Sequence, residues 1–153
     1  MATVSASRAA STVPVPGTGT IRVAHGTYEH ATNLAAATII EYCRIPKGAV
    51  VVGGWFGGDD LDTGTEELNM TIGWAANGVE VADPDGFGDL GVMTGDVSAH
   101  LGAAGLWFPL QGTLLTAGPQ TFSAETVLTA TVVTDAAATG TGTTSMVVYY
   151  YVP

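Results

Sequence analysis

The hydrophobic and polar positions of the chain fall into short β-prone runs separated by turn residues. TIIEYCRI (Thr38–Ile45) reads as a strand. Pro46-Lys47-Gly48 reads as the turn after it, because proline presets φ and glycine accepts positive φ. AVVVGGWF (Ala49–Phe56) is the return strand, and its glycine pair suggests a bulge or a close backbone approach. EELNMTIGW (Glu66–Trp74) alternates, with Leu68, Met70, Ile72 and Trp74 on one face and Glu67, Asn69 and Thr71 on the other. LWFPL (Leu106–Leu110) reads as an edge strand, since Pro109 cannot donate to a ladder. TVLTATVVT (Thr126–Thr134), the loop DAAATGTG (Asp135–Gly142) and TTSMVVYYYV (Thr143–Val152) form a hairpin. On its last strand Met146, Val148, Tyr150 and Val152 point one way, and Val147, Tyr149 and Tyr151 the other. Both faces are apolar or aromatic, which predicts a central strand between two sheets, or between a sheet and a subunit interface.

Two regions carry little pattern. Residues 1–20 are small and β-prone residues with Pro14, Pro16, Gly17 and Gly19, which exclude a helix. They read as an extended N-terminal arm that orders against a partner. In residues 76–105, Asn77-Gly78 is a turn signal, Val79–Ala82 reads as a short strand and Val92–Leu101 as a helical turn. Helical periodicity is otherwise almost absent, so the fold class is all-β, a β-sandwich or barrel. The predicted organisation is an arm (1–20) followed by a single domain (21–153), a length that suits one core.

Charge is distributed unevenly. Arg8, Arg22, Arg44 and Lys47 are all the bases, opposed over that stretch only by Glu29 and Glu41, and residues 48–153 hold twelve acids with no Lys or Arg. A formal net charge of −10 disfavours nucleic acid, where affinity comes from bases that neutralise phosphates. It also disfavours anionic membranes, and there is no apolar run of spanning length and no secretory signal. One cysteine, Cys43, excludes an intramolecular disulfide and reads as a buried, inert thiol.

Candidate chemistry concentrates in GDDLDTGTEEL (58–68), which contains the Asp-Thr-Gly tripeptide of aspartic proteases. That mechanism needs a carboxylate pair sharing a proton in dry surroundings. Here Asp62 follows Asp59 and Asp60 and precedes Glu66 and Glu67, so the segment reads as a solvated turn with Asp62 capping and Gly64 at positive φ. A weak metal alternative is Asp59, Asp60 and Asp62 around Ca²⁺, without EF-hand spacing. Asp83, Asp85 and Asp89 form a second acidic cluster. Gly86–Gly91 fits G-x-G-x-x-G, but acids precede it, so it reads as a flexible loop. His25 and His30, in a predicted loop, and His100 lack the spacing of a zinc site. No nucleophile elbow or P-loop is present, and no cofactor is implied. Trp55, Trp107, Phe108, Tyr149 and Tyr151 are candidates for a subunit interface.

IPKGAVVVGGWFGGDDLDTGTEELNMTIGW and FSAETVLTATVVTDAAATGTGTTSMVVYYYV resemble turn-and-strand patterns of small structural proteins of tailed bacteriophages. The resemblance runs from Ile21 to Val152, and residues 1–20 and the insert 77–105 fall outside it. It is similar to head decoration, or cement, proteins with a jelly-roll-like sandwich. It implies a non-enzymatic virion protein, assembled in the host cytoplasm and bound to the major capsid protein on the capsid surface, as a homo-oligomer with a trimer favoured. On this reading Arg8, Pro14, Pro16, Arg22 and Arg44 contact the capsid. The alternative is a receptor- or glycan-binding virion module, in a head fibre or tail, that uses Trp55, Trp74 or Trp107.

Overall fold

The computed structural model describes residues 2–12, 20–59, 61–62, 67–92, 106–137 and 141–153. These form two facing sheets. In the first, β1 (Thr3–Thr12), β3 (Ile39–Ile45), β9 (Thr126–Thr134), β5 (Asn69–Trp74) and β6 (Asp83–Val92) lie side by side in that order. In the second the order is β2 (Arg22–His30), β10 (Gly142–Tyr151), β4 (Val50–Gly58) and β7 (Leu106–Pro109), and the short β8 (Gln120–Thr121) also pairs with β4. β1 runs parallel to β3, and the other pairs are antiparallel. A single helical turn, α1 (Thr113–Thr116), follows β7. Among the described residues no helix is long and apolar enough to cross a membrane. The architecture is an all-β sandwich.

Alternation sets which side chains meet between the sheets. Met70, Ile72 and Trp74 of β5 point inward, as do Leu128, Ala130 and Val132 of β9 and Met146, Val148 and Tyr150 of β10. β10 is central as predicted, with β2 on one side and β4 on the other. Trp74, Phe87 and Phe122 pack edge to face, with ring centroids 5.0 to 6.4 Å apart, and Tyr42 meets Phe56 at 5.6 Å. Each such ring contributes about 1.5–3 kcal/mol by burial, with a further increment from the edge-on geometry.

Two expected pairings fail: β9 and β10, read as a hairpin, lie in different sheets, and so do β3 and β4, because each connecting loop crosses from one layer of the sandwich to the other. Four segments also depart from the sequence reading. Thr3–Thr12 is extended but already paired: it runs along β3 within the sheet, and Val4 packs against the core. Residues 22–30 form β2 and are not a loop. Their pattern is muted because an inward position is glycine: a Cβ on Gly26 would lie 1.9 Å from the Tyr42 carbonyl oxygen, where β2 crosses close to β3. β6 runs through DPDGFGDLGV, so the G-x-G-x-x-G stretch is strand and not flexible loop. Its glycines serve close packing, since a Cβ on Gly86 would sit 2.3 Å from the Trp74 ring. Val79–Ala82 is no strand, because Asn77 Oδ1 accepts from the N–H of Val79 and Glu80 at 2.9 and 2.7 Å and closes a local turn. The helical turn expected at 92–101 lies outside the described residues, apart from Val92, which ends β6.

Candidate interaction surfaces

The strand directions sort charge to the two ends of the sandwich. Arg22 opens β2 opposite Tyr150, Arg44 lies near the end of β3, and Lys47 sits in the turn from β3 to β4, next to the end of β10. Three of the four bases therefore share one end. Acids stand at this end too: Glu125 pairs with Arg44 at 3.4 Å, Glu80 accepts from the Ser123 N–H at 2.8 Å, and Asp83 and Asp85 are here because β6 starts beside Trp74, the last residue of β5. The Ser123 N–H and then the Asn77 amide hold Glu80 below the usual carboxylate range. The opposite end carries Glu29 at the close of β2, Asp59, Asp62 and Glu67 between β4 and β5, and Asp135 after β9. Asp83, Asp85 and Asp89 lie along β6, the far edge of the first sheet, where burial and then the neighbouring Asp85 raise Asp83 above its usual range.

Of the capsid-contact candidates, Arg22 and Arg44 are brought to the same end, while Arg8 lies in β1 at the register position of Cys43. Pro14 and Pro16 lie outside the described residues. Of the interface candidates, Trp55, Tyr149 and Tyr151 share the outer face of the second sheet, and Trp107 stands opposite Gly57 in register. Phe108 does not join them: it pairs with the buried Phe56 and packs against the core. Trp74 is also core, with its indole N–H donated to the Val81 carbonyl at 3.1 Å, so a glycan groove could draw only on Trp55 and the Trp107 position.

The Asp-Thr-Gly loop is built differently from a solvated turn. Asp62 is 2% exposed, and its Oδ2 accepts from the backbone N–H groups of Glu67, Leu68 and Ala137 at 2.8, 3.1 and 3.2 Å. The carboxylate thus ties the β4–β5 loop to the β9–β10 loop. Asp59 Oδ2 accepts from the Thr143 N–H at 2.8 Å and pins the start of β10. Asp60, Thr63, Gly64 and Glu66 lie outside the described residues. Among the described residues no three His, Cys, Asp or Glu side chains are grouped to hold a metal.

A second buried polar group was not legible in the sequence. His30 Nε2 meets Thr144 Oγ1 at 2.7 Å, and Thr144 Oγ1 also bonds the Tyr42 hydroxyl, linking β2, β10 and β3. Burial lowers His30 to about 4 despite the opposing Glu29 carboxylate, so the imidazole is neutral. Burial likewise pushes the Tyr42 phenol above its usual range and Cys43 up to about 12, so both stay protonated. The only sequence signal for this group was three polar side chains on strands whose other inward positions are apolar or small.

No protein-family model matches the sequence, and no curated protein does. Several solved structures share the fold. A chain of the capsid of Ralstonia phage GP4 superposes with a TM-score of 0.73 and 19% identity, covering 99% of both chains. A chain of the cyanophage Pam1 capsid asymmetric unit gives 0.65 and 23%, covering 95% of this chain and 96% of that one. A chain of the acid-stable capsid of Helicobacter pylori bacteriophage KHP30 gives 0.59 and 14%, covering 90% and 91%.

Proposed function

We propose that this chain is a non-enzymatic structural protein of a phage virion that binds the outside of the capsid and stabilises it. The observation that carries the reading is the fold likeness, over nearly the full length of both partners, to chains from three phage capsids. The grouping of three of the four bases at one end supports an orientation. The end with Arg22, Arg44 and Lys47 faces an acidic shell, and the end with Asp59, Asp62, Glu67 and Asp135 faces solvent. Arg8 and the N-terminal segment add contacts beside Arg44, because β1 ends there, at Thr12. A ligand that binds only the assembled shell stabilises it by mass action. A trimer, implied by the phage resemblance, would multiply that attachment.

The test is co-sedimentation of the purified protein with intact capsids of its phage. Saturation at a stoichiometry set by the capsid symmetry axes, with a raised capsid melting temperature, is the expected result. Failure to pellet with capsids at micromolar concentration would overturn the reading.

A further inference from the structure

We propose that the outer face of the second sheet is the surface through which one copy of this chain packs against a second copy. The two outer faces of the sandwich differ. On the first sheet Glu41, Thr71, Thr129 and Thr131 interrupt Ile39, Val127 and Val133. On the second sheet Val23, Val147, Tyr149, Tyr151 and Trp55 adjoin one another, with Ile21 and Val52 at the same end. Ile21 is 63% exposed, Val23 49%, Val52 39% and Tyr149 38%. An antiparallel sheet that faces water ordinarily alternates to polar residues on that side. This one does not.

Charge selects the occupant. Two copies at −10 each repel wherever carboxylates oppose carboxylates. The described titratable carboxylate or imidazole side chains on this face are Glu29 and His25, both on β2. Glu29 lies toward the acidic end and accepts from the Thr143 hydroxyl at 2.7 Å. The rest of the face offers a partner neither acid nor base to recognise, which suits a copy of itself and gives a charged surface no complement.

Area and shape agree. Three strands of nine or ten residues and the four-residue β7 cover on the order of 500 Å² in projection, which approaches the ~800 Å² per partner of a stable interface once side-chain relief is added. Gly53 stands opposite Tyr149, and a Cβ there would find only that ring, at 4.0 Å, so a hollow lies beside an aromatic ridge on one face. A ridge and a hollow on the same patch are what a self-complementary contact requires. The face also runs along the strands, so copies joined through it about an axis parallel to the strands turn their basic ends the same way. That last consequence alone rests on the capsid reading.

Light scattering after size exclusion, on the full chain without capsids, tests the proposal. The wild type should elute as more than one copy at micromolar concentration. Val23→Asp with Tyr149→Asp should raise the dissociation constant at least about tenfold while leaving the circular dichroism unchanged. Val79→Asp with Val81→Asp, at exposed apolar positions away from this face, should keep the wild-type mass. Should the first pair misfold, Tyr149→Ser and the dilution-dependent red shift of wild-type tryptophan emission give the same answer. A monomeric wild type at hundreds of micromolar, or equal dissociation by the Val79/Val81 pair, would sink it. Because no capsid enters the measurement, this outcome is separable from failure of capsid binding.

Discussion

At the scale of single residues, buried polar groups fix the loops. Asp62 accepts three backbone N–H groups from two loops. Asp62→Ala strands those donors, and at about 1–3 kcal/mol for each donor left unmet, partly recovered by water, a net loss of about 3 kcal/mol in urea unfolding is expected. Asp62→Asn keeps one acceptor oxygen and should lose about half as much. His30 predicts a pH dependence. Its folded value, about 4, lies below the ordinary 6.5, so the unfolded chain takes up the proton first. The contribution is whole above pH 6.5, falls as pH drops through 6.5, and levels off near 4. It amounts to no more than about 2 kcal/mol after allowance for partial hydration. Melts between pH 7 and 5, above most carboxylate titration, should show the slope in the wild type and a flatter one in His30→Gln.

At the scale of elements, the sandwich closes where glycine lets backbones cross. Gly26 carries β2 over β3, and Gly86 carries β6 past Trp74. Gly26→Ala places a methyl 1.9 Å from a backbone oxygen that cannot rotate away. A cost of roughly 3 kcal/mol or more, read as a lowered melting temperature, is expected. The same glycines explain why β2 and β6 were hard to read. Periodicity reports a strand through its inward apolar side chains, and these strands surrender such positions to close approach. β10, apolar or aromatic from Met146 onward, and the alternating β5 were legible because their inward positions are filled.

At the scale of the whole molecule, the net charge matters less than its placement. Twelve acids follow residue 47, yet the turn geometry puts Arg22, Arg44 and Lys47 together at one end. If that end meets the capsid, Lys47→Glu should weaken co-sedimentation about tenfold, and wild-type binding should weaken with added salt. Asp59→Asn, at the far end, should leave binding unchanged. Equal effects of the two substitutions would show that the orientation is wrong.

From its own pattern the sequence yielded the fold class, the two C-terminal strands as strands, the inward face of β5 and the central place of β10. Each of these is written in the spacing of apolar side chains. It also placed the bases at the front of the chain, but not at one end of a solid. Nor did it yield the pairing of the last two strands: β9 and β10, expected as a hairpin, go to different sheets. Only the tertiary structure decided that Asp62 is an anchor and not a solvated cap, that Phe108 belongs to the core, and that Thr3–Thr12 is a strand. Those outcomes depend on which segments far apart in sequence come within hydrogen-bonding distance. A local pattern holds no information about that distance until the sheets close.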